Sequence, residues 1–228
     1  MLLKNSIIIS YSTPNYEPLT NLFFETLSNI GVNREQIIHK LDIPNNSLTF
    51  NTGFQTDLWY FCVKNKMKHL IDTLENHEKY KCDYFIYSDC DIWFIEKNKE
   101  QWKNLKSYVD ENNKDIYFMS NTHDIHLHDV NTGFFIIKNN QNIKTILKFF
   151  KGVYENMMNI PNDHMALGDQ TIININKWNI NFGLIPNQYV VIGVYICDPT
   201  KSLFHHAVAC RDVDDKLVQI NQIKNVFA

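Results

Sequence analysis

Three predominantly apolar runs, each bounded by polar or turn-forming residues, organise the chain. They are Ser6–Tyr11 (Ser-Ile-Ile-Ile-Ser-Tyr), Tyr84–Ser88 (Tyr-Phe-Ile-Tyr-Ser) and Val130–Lys138 (Val-Asn-Thr-Gly-Phe-Phe-Ile-Ile-Lys). Short runs rich in β-branched and aromatic residues predict buried strands. Gln36–Leu41, Asp115–Met119, Phe182–Ile185 and Val190–Ile196 predict further ones. Between them the apolar period becomes helical. Leu19–Ile30 predicts a helix closed by Gly31. Thr52 and Gln55 form a candidate capping box, after which Leu58, Phe61, Cys62, Leu70, Ile71 and Leu74 predict a long helix to about His77. Glu100–Val109, a segment from Ile143 to Tyr154, Gly168–Asn176 and Asp212–Phe227 complete the helices. Strands alternating with helices predict an α/β sandwich around a mostly parallel sheet, and such sheets bind ligands at the C-terminal ends of their strands.

Composition narrows the function. A net charge of −3 excludes a global basic field for nucleic acid or anionic membrane. No apolar stretch approaches a membrane span. Met1-Leu-Leu-Lys4 leads directly into a strand without the basic start and long apolar core of a signal peptide. The five cysteines lack any Cys-x-x-Cys pair and read as free thiols in a reducing compartment. The expectation is a cytoplasmic protein.

The strand at 84–88 runs into Ser88-Asp89-Cys90-Asp91-Ile92-Trp93-Phe94. Carboxylates at the mouth of a sheet strand are costly to bury unless compensated, and a divalent cation is one compensation. Strand alternation would point Asp89 and Asp91 to the same side. The pattern alone is expected about once by chance in a chain of this composition. A second copy, Asp212 and Asp214, opens the last helix, where capping and the helix dipole explain it. With seven glycines and no Gly-x-Gly-x-x-Gly or Walker loop, backbone amides of a glycine-rich loop cannot hold phosphates here. A metal at Asp89 and Asp91 would have to carry that charge.

Other polar groups are weaker by themselves. Asn131-Thr132-Gly133 reads locally as a turn into a strand, and Asp169 as a helix cap. His205-His206, adjacent in a strand-like segment, offers a nitrogen ligand or a buried hydrogen-bonded imidazole. His123, Asp124, His126, His128 and Asp129 form the densest cluster of ligand types. Without a zinc framework they read as a polar loop beside the sheet mouth. Lys64, Lys66 and Lys68 read as solvated lysines, with Lys66 projecting differently from its neighbours.

Taken in order, these pieces resemble the GT-A glycosyltransferases of the nucleotide-diphospho-sugar transferase group. The resemblance rests on the Asp89-Cys90-Asp91 strand end, Asn131-Thr132-Gly133-Phe134-Phe135, Gly168-Asp169-Gln170-Thr171-Ile172-Ile173-Asn174, and Phe204-His205-His206-Ala207-Val208 before the Lys216-Leu217-x-Gln219 helix. Gly53–Trp59 and Lys66 match the helix before the Asp-x-Asp strand. Compact chains of this kind also occur among large DNA viruses, for which the compartment would be the host cytoplasm. The resemblance implies a GT-A α/β/α sandwich in a single domain over 1–228, with a nucleotide-binding half to about residue 95 and an acceptor half beyond it. It implies Asp91 as a metal ligand, Asp89 on metal or donor ribose, and His206, or alternatively His205, completing the metal site. Ser10, Tyr11, Ser12 and Thr13 would border the nucleoside, Lys66 the donor, and Asn131, Asp169 and Gln170 the sugar and acceptor side. The metal would be manganese, with magnesium as the substitute, the donor a nucleoside-diphosphate sugar such as a UDP-sugar, and the acceptor a glycan or other hydroxyl. An inverting member needs a general base, for which Asp169 is the first candidate and Asp124 or Asp129 the alternatives.

Two rival readings share the motif. A haloacid-dehalogenase-like phosphatase also ends a strand in Asp-x-Asp and uses magnesium, but its motif lies near the N-terminus and is followed by a Gly-Thr-like turn. Here a strand, a helix and a strand precede Asp89, and Ile92-Trp93-Phe94 follows Asp91. A catalytically inert sugar-nucleotide-binding protein on the same fold is the other, distinguished by its release of no nucleoside diphosphate.

Overall fold

Six strands form the central sheet: β1 (Ser6–Ser12), β2 (Ile37–Leu41), β3 (Tyr84–Ser88), β5 (Ile116–Ser120), β6 (Val130–Lys138) and β7 (Phe182–Leu184). Their order is β2-β1-β3-β6-β5-β7. β1 pairs in parallel with β2 and β3, β5 pairs in parallel with β7, and β6 runs antiparallel to both its neighbours. Five strands therefore point one way and β6 alone the other, a mostly parallel sheet as expected. The computed structural model describes residues 2–44, 56–122, 128–159 and 168–228.

Alternation along the central strands sends side chains to two separate cores. Ile8, Tyr84, Ile86, Phe134 and Ile136 face one layer, with Phe23 and Leu27 of α1 (Glu17–Asn29) and Trp102, Leu105 and Val109 of α3 (Trp102–Glu111). Ile9, Phe85, Tyr87, Phe135 and Ile137 face the other, with α2 (Asp57–Glu75), α4 (Ile143–Asn159) and α5 (Asp169–Asn176). Strands covered on both faces read as continuous apolar runs, which is why these three were so plain in the sequence. The chain leaves β1 through α1 on one face and reaches β3 through α2 on the other. The C-terminal ends of β1 and β3 thus flank a topological switch point, the usual crevice for a ligand.

A second sheet, β4-β10-β8-β9, leans on the first core. It comprises β4 (Ile92–Phe94), β8 (Val190–Ile192), β9 (Tyr195–Ile196) and β10 (Phe204–His206), with α6 (Val213–Phe227) packed against it. The single strand expected over Val190–Ile196 is a hairpin, because Gly193 at φ +58° turns the chain between β8 and β9. Asp212 caps α6 by accepting from the Asp215 amide at 2.9 Å, as its setting suggested. The proposed Thr52–Gln55 capping box lies outside the described residues; within them, Thr56 caps α2 by accepting from the Trp59 amide at 3.3 Å. No helix among the described residues is long and apolar enough to cross a membrane.

Candidate active site

β3 ends at Ser88, so Asp89–Asp91 is not strand but the turn that carries the chain from the first sheet into the second. The two carboxylates converge through that turn rather than through strand alternation. Backbone bonds hold it at both ends: the Asp89 amide donates to Gly133 O on β6 at 2.7 Å, and the Ala207 amide beyond β10 donates to Asp91 O at 3.1 Å. β10 lies antiparallel to β4 with His206 opposite Ile92. One ligand atom each from Asp89, Asp91 and His206 consequently lies within 4.8 Å of the others. His205, the alternative ligand, points the other way. Its Nε2 lies 2.8 Å from Gly193 O, and burial pushes its imidazole down to about 4.

Gly133 makes room for this arrangement. A Cβ there would stand 2.8 Å from His206 Nε2 and 2.9 Å from Nδ1. The residue sits within β6 without a left-handed backbone, so the turn reading of Asn131-Thr132-Gly133 is replaced by one of close approach. Asn131 braces the same stretch: its Oδ1 accepts from the Gly133 amide at 2.8 Å and its Nδ2 donates to Asn121 Oδ1 at 3.1 Å.

Charge is concentrated and nearly balanced. Lys66, read locally as solvated but set beside the donor by the family resemblance, is half-buried, with Nζ 3.1 Å from Asp89 Oδ1, 3.1 Å from Asp169 Oδ2 and 3.1 Å from Thr132 O. Burial works against its charge, but Asp169 and Asp89 hold it above the usual lysine range. Lys216 of α6 donates to Asp91 Oδ2 and lies 3.3 Å from Ala207 O. Burial alone would push the Asp91 carboxyl up; Lys216 and then His206 hold it well below the usual carboxylate range. For Asp89 burial prevails: its carboxyl is pushed up against the pull of Lys66, with the charge of Asp91 adding to the shift. His206 Nε2 stands 3.3 Å from Asp91 Oδ1, a buried oxygen with no hydrogen-bond partner among the described residues.

These groups line a cavity of about 610 Å³ at the switch point. Tyr11, Ser12, Thr13, Asn131, Asp169 and Gln170 border it. Ser10 does not: its buried hydroxyl lies 2.9 Å from His39 Nδ1, beneath the cavity floor, and Ser12 Oγ lies 3.1 Å from Nε2 of the same ring. Asp129 is also outside the lining, with Oδ2 accepting from Asn121 at 2.9 Å. Asp124 and the rest of 123–127 lie outside the described residues. Of the 123–129 cluster, the described His128 packs edge-on against Trp178 and Phe182. Tyr16 and Tyr87 were not singled out from sequence, and Thr132 and Lys216 entered only within the segments that carry the family resemblance. Thr132 donates to Asp169 Oδ2 at 3.0 Å, Tyr87 donates to Asp89 Oδ1 at 2.9 Å, and burial pushes the Tyr16 phenol up to about 12. Of these, Lys216 carried a signal in its place in the Lys216-Leu217-x-Gln219 helix after the His205-His206 pair.

Residues 25–220 match the family model described as nucleotide-diphospho-sugar transferase. The chain superposes on a glycosyltransferase involved in the glycosylation of the major capsid of PBCV-1 with a TM-score of 0.63, covering 95% of this chain and 98% of that one at 14% identity. It superposes on the glycosyltransferase GlyE of Streptococcus pneumoniae TIGR4 with a TM-score of 0.56 and 10% identity, covering 98% of this chain and 64% of that one. At such identities the likeness is one of fold. No curated protein matches the chain significantly. The family match, over most of the chain, decides the assignment: the chain belongs to the nucleotide-diphospho-sugar transferase family of glycosyltransferases.

Proposed function

We propose that the protein transfers a hexose from a nucleoside-diphosphate sugar, with uridine diphosphate as leaving group, to a hydroxyl of a glycan acceptor, and that the transfer requires a divalent cation. The observation that carries the reading is the convergence of Asp89, Asp91 and His206 in a cavity at the switch point, where the buried Asp91 Oδ1 makes no hydrogen bond among the described residues and faces His206 Nε2 at 3.3 Å. Carboxylate oxygens mixed with an imidazole suit manganese better than magnesium. Asp91, His206 and Asp89 would hold the ion, which when bound supplies charge neutralisation for a departing diphosphate.

The rest of the work falls to the chain. The half-buried Lys66 and Lys216 set their ammonium groups against Asp89 and Asp91 respectively, within the cavity, placed to meet phosphate oxygens. Tyr11, Ser12 and Thr13 wall the nucleoside end, and Gln170 the sugar end. Asn131, its amide committed to Gly133 and Asn121, shapes the wall rather than donating to the sugar. Both contacts of Asp169 use Oδ2, which leaves Oδ1 to take the proton of an acceptor hydroxyl in an inverting transfer.

A thermal-shift panel of nucleoside diphosphates and their sugars, with and without manganese, tests the proposal. Uridine diphosphate with manganese should raise the melting temperature by roughly 5–10 °C at a hundredfold excess over Kd. Asp91→Asn should keep a folded protein but lose that shift and all transfer. Equal shifts with and without manganese, or wild-type turnover by Asp91→Asn, would overturn it.

A further inference from the structure

Helix α5 does more than deliver Asp169. Its outward positions are Thr171, Ile175 and, in the turn that follows, Trp178 and Asn179. Thr171 and Ile175 recur at i and i+4 on one face of α5, Ile172 and Ile173 face the core, and Trp178 and Asn179 are exposed in the 3₁₀ turn Lys177–Asn179 that continues the helix. Thr171 lines the cavity. Ile175 and Trp178 are 65% and 66% exposed. Exposed positions thus run from the rim of the active site along α5 to an indole in the 3₁₀ turn beyond its end, roughly 10 Å away by the rise of the two helical segments.

The indole is held in place. Phe182 meets it edge-on at 5.3 Å between ring centroids and His128 at 5.7 Å. The buried Lys177 puts its ammonium 5.5 Å from the ring centroid and is itself anchored, donating to Asn174 Oδ1 at 2.7 Å. A braced aromatic ring with most of its surface in solvent loses little freedom when something stacks on it. Its π face carries partial negative charge, complementary to the C–H face of a pyranose ring. The patch is also narrow, two apolar side chains flanked by Thr171 and Asn179. A stable protein interface buries about 800 Å² per partner, whereas a single sugar ring fits a stripe of this width.

We propose that the Thr171–Ile175–Trp178 stripe is a carbohydrate subsite on which a ring of the acceptor glycan, remote from the reacting hydroxyl, stacks against Trp178. The inference rests on the transferase reading above, and it makes the acceptor an oligosaccharide rather than a monosaccharide. The stripe begins at the cavity rim, so one linked chain can reach from Trp178 to Asp169.

A printed glycan microarray tests this with the full-length chain and no donor. The wild type should label oligosaccharides and not the matching monosaccharides. Trp178→Ala should lower that signal at least about tenfold, with Trp178→Phe retaining more than Trp178→Ala. Val226→Ser, an exposed apolar change on α6, should label as the wild type. The manganese and uridine diphosphate thermal shift, measured on the same Trp178→Ala preparation, should match the wild type and so report a folded donor pocket. Wild-type labelling by Trp178→Ala, or no labelling by the wild type, would overturn the subsite. Absence of the thermal shift in the wild type would instead overturn the donor reading, leaving the array to decide the stripe on its own.

Discussion

The contact between Gly133 and His206 shows how one missing methyl group sets the site. β6 and β10 belong to different sheets, and the imidazole reaches Asp91 only because β6 presents a backbone without a Cβ at that point. Gly133→Ala should therefore push the ring away from Asp91. Overpacking of this kind typically costs about 1–3 kcal/mol, and much of it can be relieved by moving His206 instead of the strand. The expected outcome is a protein whose melting temperature falls by only a few degrees and whose manganese affinity falls at least about tenfold. A variant with unchanged manganese affinity would mean that His206 is not held by that approach. Lys66 and Lys216 teach a related lesson about single residues. Both are charged positions on amphipathic helices, where solvation is the reasonable expectation. Their partial burial follows from Asp89, Asp91 and Asp169 gathered at the same point, a long-range fact that no local spacing contains.

At the scale of elements, the buried strands were legible because each is covered on both faces and so reads as an apolar run. β4 and β10 were harder. Each has three residues, and Ile92-Trp93-Phe94 continues the apolar character of β3 after the Asp89–Asp91 turn, so the change of sheet leaves no mark in the pattern. The β1–β2 pair carries a titration that the sequence could not disclose. His39 of β2 lies within hydrogen-bond distance of both Ser10 and Ser12, and burial, aided by the charge of Arg34, pushes its imidazole down to about 4 from an ordinary 6.5. A depressed folded-state value means the unfolded chain takes up a proton that the native protein refuses. The stability is complete above about pH 6.5 and is lost as the pH falls through the window down to about 4. His205, also near 4, and His69, lowered by burial, act in the same direction. Asp91 titrates below that window. Urea midpoints should accordingly drop between pH 7 and pH 4.5, and His39→Gln should reduce the size of that drop. An identical drop in the variant would place the proton uptake elsewhere.

Across the whole molecule, the site exists because two sheets are fixed against each other, Asp89 and Gly133 on one side of the junction and His206 on the other. An aromatic cluster makes that joint. Phe204 of β10 lies 4.2 Å from Phe134 of β6, stacks on Trp102 of α3 at 6.3 Å and approaches Phe94 of β4 at 6.3 Å, all of them buried. Phe204 is two residues from His206, so a ring that packs against the first sheet also sets the height of the imidazole over Asp91. Phe150 of α4 offers a comparison: it is equally buried and stacks on Phe135, but in the opposite core, away from the second sheet. Replacing either phenylalanine with leucine should destabilise the protein by a similar amount, about 1–2 kcal/mol, through lost contacts and imperfect filling. Only Phe204→Leu should also weaken manganese binding, because only that cavity lets β10 shift relative to the Asp89–Asp91 turn. Chemical denaturation together with manganese titration of the two variants separates the effects. Equal losses of affinity in both would mean that the metal groups respond to global stability rather than to the joint between the sheets.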